Sequence, residues 1–340
     1  MRWCLSHHFT YNIILIQSAP RPSDLGERRR PLLEKLAQKL KISRFGIRAP
    51  TPDPSRHGVA IAAIVRDETE HIDEWARFHL AAGVRHFVIY DDGSRDGTAE
   101  VLRATLPADR LTIIPWAQRL SDARLRREIH NQLLAYAHAA GNFGGAFRWM
   151  GFIDIDEFLV PAGTDTLEAA LEPLDDVPNL SLPWHMFGYS GHDTPPAGGV
   201  VSNYLMRARD PMGDAPGLRA FKMLVDPCRL TSMRIHAMQT DDDERTWNTA
   251  GQQATFATRD QASFYSTQAV QLNHYYTRSR EELDTKIARG PNLLAKRRDY
   301  RRKVMRTVAS IEQDQVEDTR ARDFARTAGL IDAKTQTRTN

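Results

Sequence analysis

From Val59 onward the chain alternates short apolar runs with amphipathic stretches. "VAIAAIV" reads as a buried strand, residues 70–82 carry helical spacing closed by Gly83, and "HFVIYDD" reads as a second strand. The order then repeats. "DGTAEVLRATL" predicts a helix and "LTIIPW" a strand; residues 122–140 predict a longer helix with Leu125, Ile129, Leu133 and Ala137 on one face and Gly141 after it; "WMGFIDI" predicts a fourth strand. Strand and helix in strict succession imply βαβ units, hence an α/β fold around a mostly parallel sheet with right-handed crossovers. Ligands of such sheets bind at the carboxyl ends of the strands.

The flanks read differently. Residues 1–57 are punctuated by Pro20, Pro22, Pro31, Pro50, Pro52 and Pro54, and only "PLLEKLAQKLKI" has helical periodicity, with Leu32, Leu33, Leu36 and Leu40 on one face. This is an N-terminal extension with one amphipathic helix, read as packed on the main domain in preference to lying in a membrane interface. Residues 291–340 read as a basic helical C-terminal extension. Its "KRRDYRRKVMR" holds seven Lys or Arg in eleven residues. Such a run is usually a solvated face, and it also suits peripheral contact with anionic lipid.

Composition narrows the function classes. The net charge of +3 is close to balanced, which argues against a general nucleic-acid role. Cys4 and Cys228 are far apart and lack metal-ligand spacing, so no disulfide framework is expected and a reducing cytoplasm suits the chain. "YNIILIQ" is too short to span a bilayer at roughly 20 residues and has no secure cleavage site, so neither a transmembrane helix nor a signal peptide is expected.

Three acidic clusters fall at strand ends: Asp67 and Glu68, then Asp91 and Asp92, then Asp154 and Asp156. Gathered carboxylates repel unless a cation or a hydrogen-bonding ligand sits among them. "DDGSRDG" fails as a calcium loop because its twelfth position is Arg103, and Asp96 with Gly97 fits a strand-to-helix turn instead. Asp92 remains to orient a polar ligand. On a strand, Asp154 and Asp156 share one face about 6.5 to 7 Å apart and both reach one site. Hard oxygen ligands of this kind suit Mg2+ or Mn2+ bridging to a diphosphate. Salt bridges to basic side chains are the structural alternative, and alternation turns Glu157 to the opposite side.

"IVRDE", "YDDGSRDGT", "WMGFIDIDEFLVP", "LPWHMFGYSGH", "FKMLVDPCRLTSMRIHAMQ" and "LNHYYTRSREELDTKIARG", six blocks in order across about residues 59–290, resemble the nucleotide-sugar-dependent glycosyltransferases of the GT-A fold, in the branch of family 2 that shares features with family 92. The resemblance implies a GT-A domain over 58–290, with a nucleotide-binding half near 58–161 and an acceptor half near 162–290. It implies that Asp67 and Asp92 hold base and ribose, and that Asp154 and Asp156, in the "DIDEF" form of the Asp-x-Asp motif, touch ribose and bind the metal. A downstream histidine often completes the site in this fold, and His236 and His274 are the two available. His236 is assigned to the metal, and His274 to the diphosphate together with Lys222. Lys286 and Arg289 stand ready to close over it. The implied cofactors are Mn2+ or Mg2+, with a nucleotide-diphosphate sugar of the uridine type as donor.

An inverting transfer needs a carboxylate base near the acceptor hydroxyl. Asp193 is the nominee, with Glu157 and the run Asp241, Asp242, Asp243 as rivals. Trp184 and Phe187 offer flat faces for sugar rings, against a core-packing reading of equal weight. The expectation is a metal-dependent transfer to a glycan, lipid-linked or other hydroxyl acceptor. Two alternatives stay open: a nucleotidyltransferase, disfavoured by the acidic "VRDETEH" where a basic phosphate loop belongs, and a non-catalytic carbohydrate-binding or scaffold protein.

Overall fold

The computed structural model describes residues 42–290 and 297–331. Cys4, most of the amphipathic segment predicted at 31–42 and the last nine residues lie outside the described residues.

The first strands and helices follow the predicted alternation. After β1 (Phe45–Gly46) come β2 (Val59–Val65), α1 (Ile72–Ala81), β3 (Val84–Asp91), α2 (Thr98–Thr105) and β4 (Leu111–Pro115). The hairpin strands β5 (Ser121–Asp122) and β6 (Arg127–Glu128) precede α3 (Asn131–Phe143), β7 (Trp149–Phe152) and β8 (Glu157–Pro161). Four strands run parallel in the order β7-β2-β3-β4. The chain moves outward from β2 through β3 to β4 and then returns to the other side of β2. The gap between β2 and β7 is therefore the switch point at which open α/β sheets bind ligands.

Beyond β7 the sheet changes character. After α4 (Leu167–Leu171) run β9 (Asn179–Met186), α5 (Val200–Asn203), β10 (Met206–Ala208), β11 (Phe221–Val225), β12 (Leu230–Arg234), β13 (Ala237–Thr240), β14 (Arg245–Trp247), β15 (Gln253–Thr255) and β16 (Val270–His274). β11 inserts antiparallel between β7 and β9, and β16 pairs antiparallel with β8 and parallel with β9. The sheet is thus mixed, correcting the expectation of a mostly parallel one. Strands that follow one another without a helix between them gave no period from which direction could be read.

β2 shows how the sequence builds both faces. Val59, Ile61, Ala63 and Val65 enter one core cluster with Trp75, Phe78 and Phe87, while Ala60 and Ala62 enter the other with Val88, Tyr90, Tyr136 and Phe152. A strand covered on both sides has no polar face to show, hence its unbroken apolar run.

Three boundaries differ from expectation. The helix predicted over 122–140 begins only at Asn131, because the Asp122 carboxylate accepts the Leu125 N–H and closes a local turn that competes with helix. Leu125 is exposed there, whereas Leu133 and Ala137 are buried as predicted. Residues 42–57 are not a free appendage from Ile42 onward: Ile42 bonds to Glu128 and His130, and β1 pairs with β12, burying Phe45. The C-terminal segment is also built in. After α6 (Arg280–Arg289) and α7 (Arg297–Gln313), β17 (Gln315–Glu317) pairs with β10, and α8 (Arg320–Thr327) places Ala321 and Ala325 in the main core, with Phe324 4.9 Å from Phe78.

His79 illustrates the polar cost of this packing. Fully buried in α1, it lies 2.9 Å from the Trp75 carbonyl through Nδ1 and accepts the Leu159 N–H through Nε2, tying α1 to β8. Burial pushes its pKa down to about 3, and the same holds for His185 on β9. The unfolded chain binds those protons near the ordinary value of about 6.5. The stabilisation is therefore complete above that pH and lost as pH falls toward the folded value, at roughly 1.4 kcal/mol per pH unit for each histidine. His79→Gln, which keeps one donor and one acceptor but cannot titrate, is expected to flatten urea-derived stability between about pH 6 and 4 by that slope. An unchanged slope would show that His79 is protonated in the folded chain.

Candidate functional site

A cavity of about 670 Å³ opens at the β2/β7 switch point. Asp67 and Thr69 line it after β2, Asp154 and Asp156 after β7, and His274, Tyr276 and Lys286 from β16 and α6.

Two loops form the first wall. Asp67 holds a left-handed backbone (φ 53°), its carboxylate accepts the Arg95 N–H at 2.9 Å, and its own N–H donates to Ser94 Oγ. Asp96 accepts the Thr98 N–H at the start of α2 and the Thr69 N–H across the gap, so its turn role is as expected. Asp92 departs from expectation. It takes a two-pronged contact from Arg119, at 2.6 and 2.8 Å, and a third from Asn131, and it does not line the cavity. The segment entering the β5–β6 hairpin returns over the end of β3 and supplies a counter-ion that no spacing rule anticipates.

The aspartate pair sits in a turn, not on a strand. β7 ends at Phe152 and β8 begins at Glu157, so Asp154 and Asp156 project from the connection. The turn is locked from both sides: the Glu157 N–H donates to the Asp154 carbonyl at 3.1 Å, and the Asp154 N–H donates to Glu157 Oε2 at 2.8 Å. Beneath it lies Lys222. β11 pairs with β7 only through Leu224 and Val225, so its first residues run past the end of β7, and the buried Lys222 ammonium reaches Asp154 Oδ2 at 2.8 Å and Glu157 Oε2 at 3.3 Å.

Burial opposes the charge on Lys222, and the neighbouring Asp154 and Glu157 more than offset it, holding its pKa well above the usual range. Burial also pushes Glu157 up to about 8, against the pull of Lys222 and with the push of both aspartates. Lys222 therefore acts through Asp154 and is sealed from the diphosphate it was expected to touch. Glu157 is equally sealed, which removes it as an acceptor-side base. Gln132 on α3 completes the support, donating to Asp154 Oδ1 at 2.7 Å.

Asp156 has other partners. Lys286 Nζ lies 3.1 Å and His274 Nε2 3.4 Å from its Oδ2. Burial opposes its ionisation, but Lys286 and His274 hold the carboxyl well below the usual carboxylate range. On its other side His274 Nδ1 faces Glu157 Oε1 at 4.0 Å, and both atoms are buried without a hydrogen-bond partner. A proton on Nδ1 directed at Glu157 leaves the Nε2 lone pair facing Asp156, a carboxylate–histidine arrangement that suits a divalent ion between Nε2 and Oδ2.

The metal assignment changes accordingly. Asp154 already accepts from Gln132 and Lys222, and its side chain, 38% exposed on the cavity wall, keeps further lone pairs open. His236 lies 2.9 Å from the Phe221 carbonyl through Nδ1, its pKa lowered by burial to about 4, and it is absent from the cavity wall. Among the described residues no three His, Cys, Asp or Glu side chains converge on one ion, so substrate oxygens and water would complete the shell.

The acceptor-side candidates scatter. Asp193 is highly exposed, pairs with Arg280 at 3.3 Å and lines a neighbouring shallow cavity of about 580 Å³, while its backbone carbonyl accepts the Glu281 N–H. Glu281 and Thr285 line both cavities. Asp241 and Asp242 are paired with Arg229 and lie outside both cavities. Phe187 is fully buried against Tyr275 and cannot stack on sugar, whereas Trp184 packs edge-on against both His236 and His274. The Arg289 side chain lies outside the described residues. Sequence reasoning missed Gln132, submerged in the misplaced helix.

A family model described as glycosyltransferase family 92 matches residues 56–308. The chain belongs to glycosyltransferase family 92. A family 92 protein of Oryza sativa subsp. japonica is 32% identical over 162 residues, covering 46% of this chain and 26% of that protein. A family 92 protein of Ricinus communis is 28% identical over 210 residues, covering 58% and 35%. A galactan beta-1,4-galactosyltransferase of Arabidopsis thaliana is 26% identical over 116 residues, covering 33% and 22%. The chain spans about a quarter to a third of the length of the first two.

In this family 92 chain the two lysines make opposite demands on stability. Lys222→Met removes the buried cation from beside the fully buried Glu157 and the partly exposed Asp154 and is expected to cost about 3–5 kcal/mol in urea unfolding. Lys286→Met removes a partly exposed pair and is expected to cost no more than about 1 kcal/mol. Equal costs would contradict the buried role given to Lys222.

Proposed function

We propose that this chain is a metal-assisted glycosyltransferase of GT-A architecture, moving a sugar from a nucleotide-diphosphate donor of the uridine type to a glycan hydroxyl. One observation carries the reading: at the switch point of an α/β sheet, a carboxylate and an imidazole nitrogen face each other at 3.4 Å on the wall of a cavity large enough for a sugar nucleotide. Family membership and the named activity of the Arabidopsis relative support the reaction class.

In this reading Asp67 and Thr69 meet the nucleoside, since acceptor oxygens near exposed backbone suit base and ribose donors. Asp156 and His274 would hold the divalent cation, which supplies charge stabilisation to the departing diphosphate. Lys286, between Asp156 and the Tyr276 carbonyl, keeps a positive charge at the same edge when the cavity is empty. Asp154 stays turned onto Lys222 and fixes the height at which Asp156 projects. The acceptor approaches along α6, where Glu281 and Thr285 face both cavities, and inversion remains part of the proposal. The exposed Arg301, Lys303 and Arg306 of α7, with Met305 45% exposed among them, support peripheral contact with an anionic surface.

Calorimetry with uridine diphosphate, with and without Mn2+, tests the reading. Metal is expected to be required, and Asp156→Ala is expected to weaken binding by roughly 100-fold, at or above the loss typical of outer-shell partners. Metal-independent binding, or binding that survives Asp156→Ala, would sink the metal assignment. A screen of nucleotide sugars for hydrolysis, with and without oligosaccharide acceptors, then separates a transferase from a binder.

A further inference from the structure

Among the described residues, every cation on the cavity wall but one is committed to a carboxylate. Lys286 pairs with Asp156, and His71 with Glu282 at 3.1 Å, while Lys222 is buried behind Asp154. Arg278 lines the same cavity and, among the described residues, makes no ion pair and no hydrogen bond; its Nε is buried without a partner. Its charge is nonetheless felt by Asp156 and Glu74 from beyond contact distance. A guanidinium carries five donors in a planar fork and keeps its proton, so one left without partners on a cavity wall is poised for an anion brought from outside.

The backbone places it there on purpose. Arg278 adopts a left-handed conformation (φ 54°), which crowds Cβ against the following carbonyl and is disfavoured for an arginine. Its neighbours are fixed: Thr277 is buried, and Ser279 is the buried N-cap of α6, closing a reciprocal capping box with Glu282. The first N–H groups of α6 are not free to serve the anion, because the carbonyls of His192 and Asp193 take those of Arg280 and Glu281. The positive contribution at this corner therefore comes from the Arg278 side chain, not from the helix end.

We propose that Arg278 binds the diphosphate of the donor nucleotide. The inference rests on the function proposed above, and it assigns the phosphate-recognising role to a residue of the sixth block to which the resemblance gave no role. The bound oxygens would satisfy the guanidinium's open donors, with two-pronged geometry available.

The test uses the full chain with Mn2+ and three probes: uridine, uridine monophosphate and uridine diphosphate. Calorimetry on Arg278→Gly and Arg278→Lys is read beside thermal unfolding. Glycine relieves the left-handed strain, so Arg278→Gly is expected to unfold at or above the wild-type temperature while losing roughly 10- to 100-fold in uridine diphosphate affinity. Uridine affinity is expected to stay unchanged, and Arg278→Lys to recover part of the diphosphate affinity. A glycine variant that binds the diphosphate like wild type, or that loses uridine and the diphosphate equally with a lowered unfolding temperature, overturns the inference alone. A wild-type chain that binds none of the probes, with or without metal, overturns the proposed function and this inference with it.

Discussion

The geometry of the site depends on one buried ammonium. Lys222 fills the space where β11 outruns β7, and its bonds to Asp154 and Glu157 hold the turn that carries Asp156 into the cavity. An isolated ammonium at that depth would be untenable. Asp154 and Glu157 supply its hydrogen-bond partners, and because Lys222 has no access to water the geometry of the three is fixed together. The turn therefore need not be ordered by the ligand it serves.

From this unit the rest of the cavity follows. Glu157 opens β8, and the pairing of β8 with β16 sets His274 directly opposite it. Trp75 reinforces the junction by donating its indole N–H to the Glu157 carbonyl at 2.9 Å, tying α1 to the same point. The acidic motif is thus anchored on three sides by elements from both halves of the chain. Both carboxylates line the cavity, but Asp154 is held by the buried Lys222 and Asp156 by Lys286 and His274. Two residues that look equivalent in the sequence perform separate tasks.

Much of this was legible beforehand, for reasons that can be named. The β2–α1–β3–α2–β4 succession has strong periodicity, and the switch point follows from its crossovers. Asp67, Asp154 and Asp156 could be placed at one edge because strand ends were recognisable. Direction in the second half was not legible, since strands joined without helices carry no sign of parallel or antiparallel pairing. Asp92 was misplaced because its partner Arg119 lies 27 residues away in a segment read as entering a helix. His236 was expected at the metal and His274 at the diphosphate, yet it is His274 that reaches Asp156, because β16's double pairing carries it there. Lys222 was found but given the wrong neighbour, because depth below a surface is invisible to spacing.

β16 joins β8 in antiparallel register and β9 in parallel register at the same residue, His274. β16 is distant in sequence from both β8 and β9, and closing such loops costs chain entropy before any contact repays it. Non-local pairings of this kind form slowly and late. The cavity therefore depends on one of the least local pairings in the sheet. Without β16, β8 from Glu157 to Pro161 and the end of β9 from Trp184 to Met186 would lack this partner. The strand that delivers the histidine is also the one that seals the sheet against pairing with another chain.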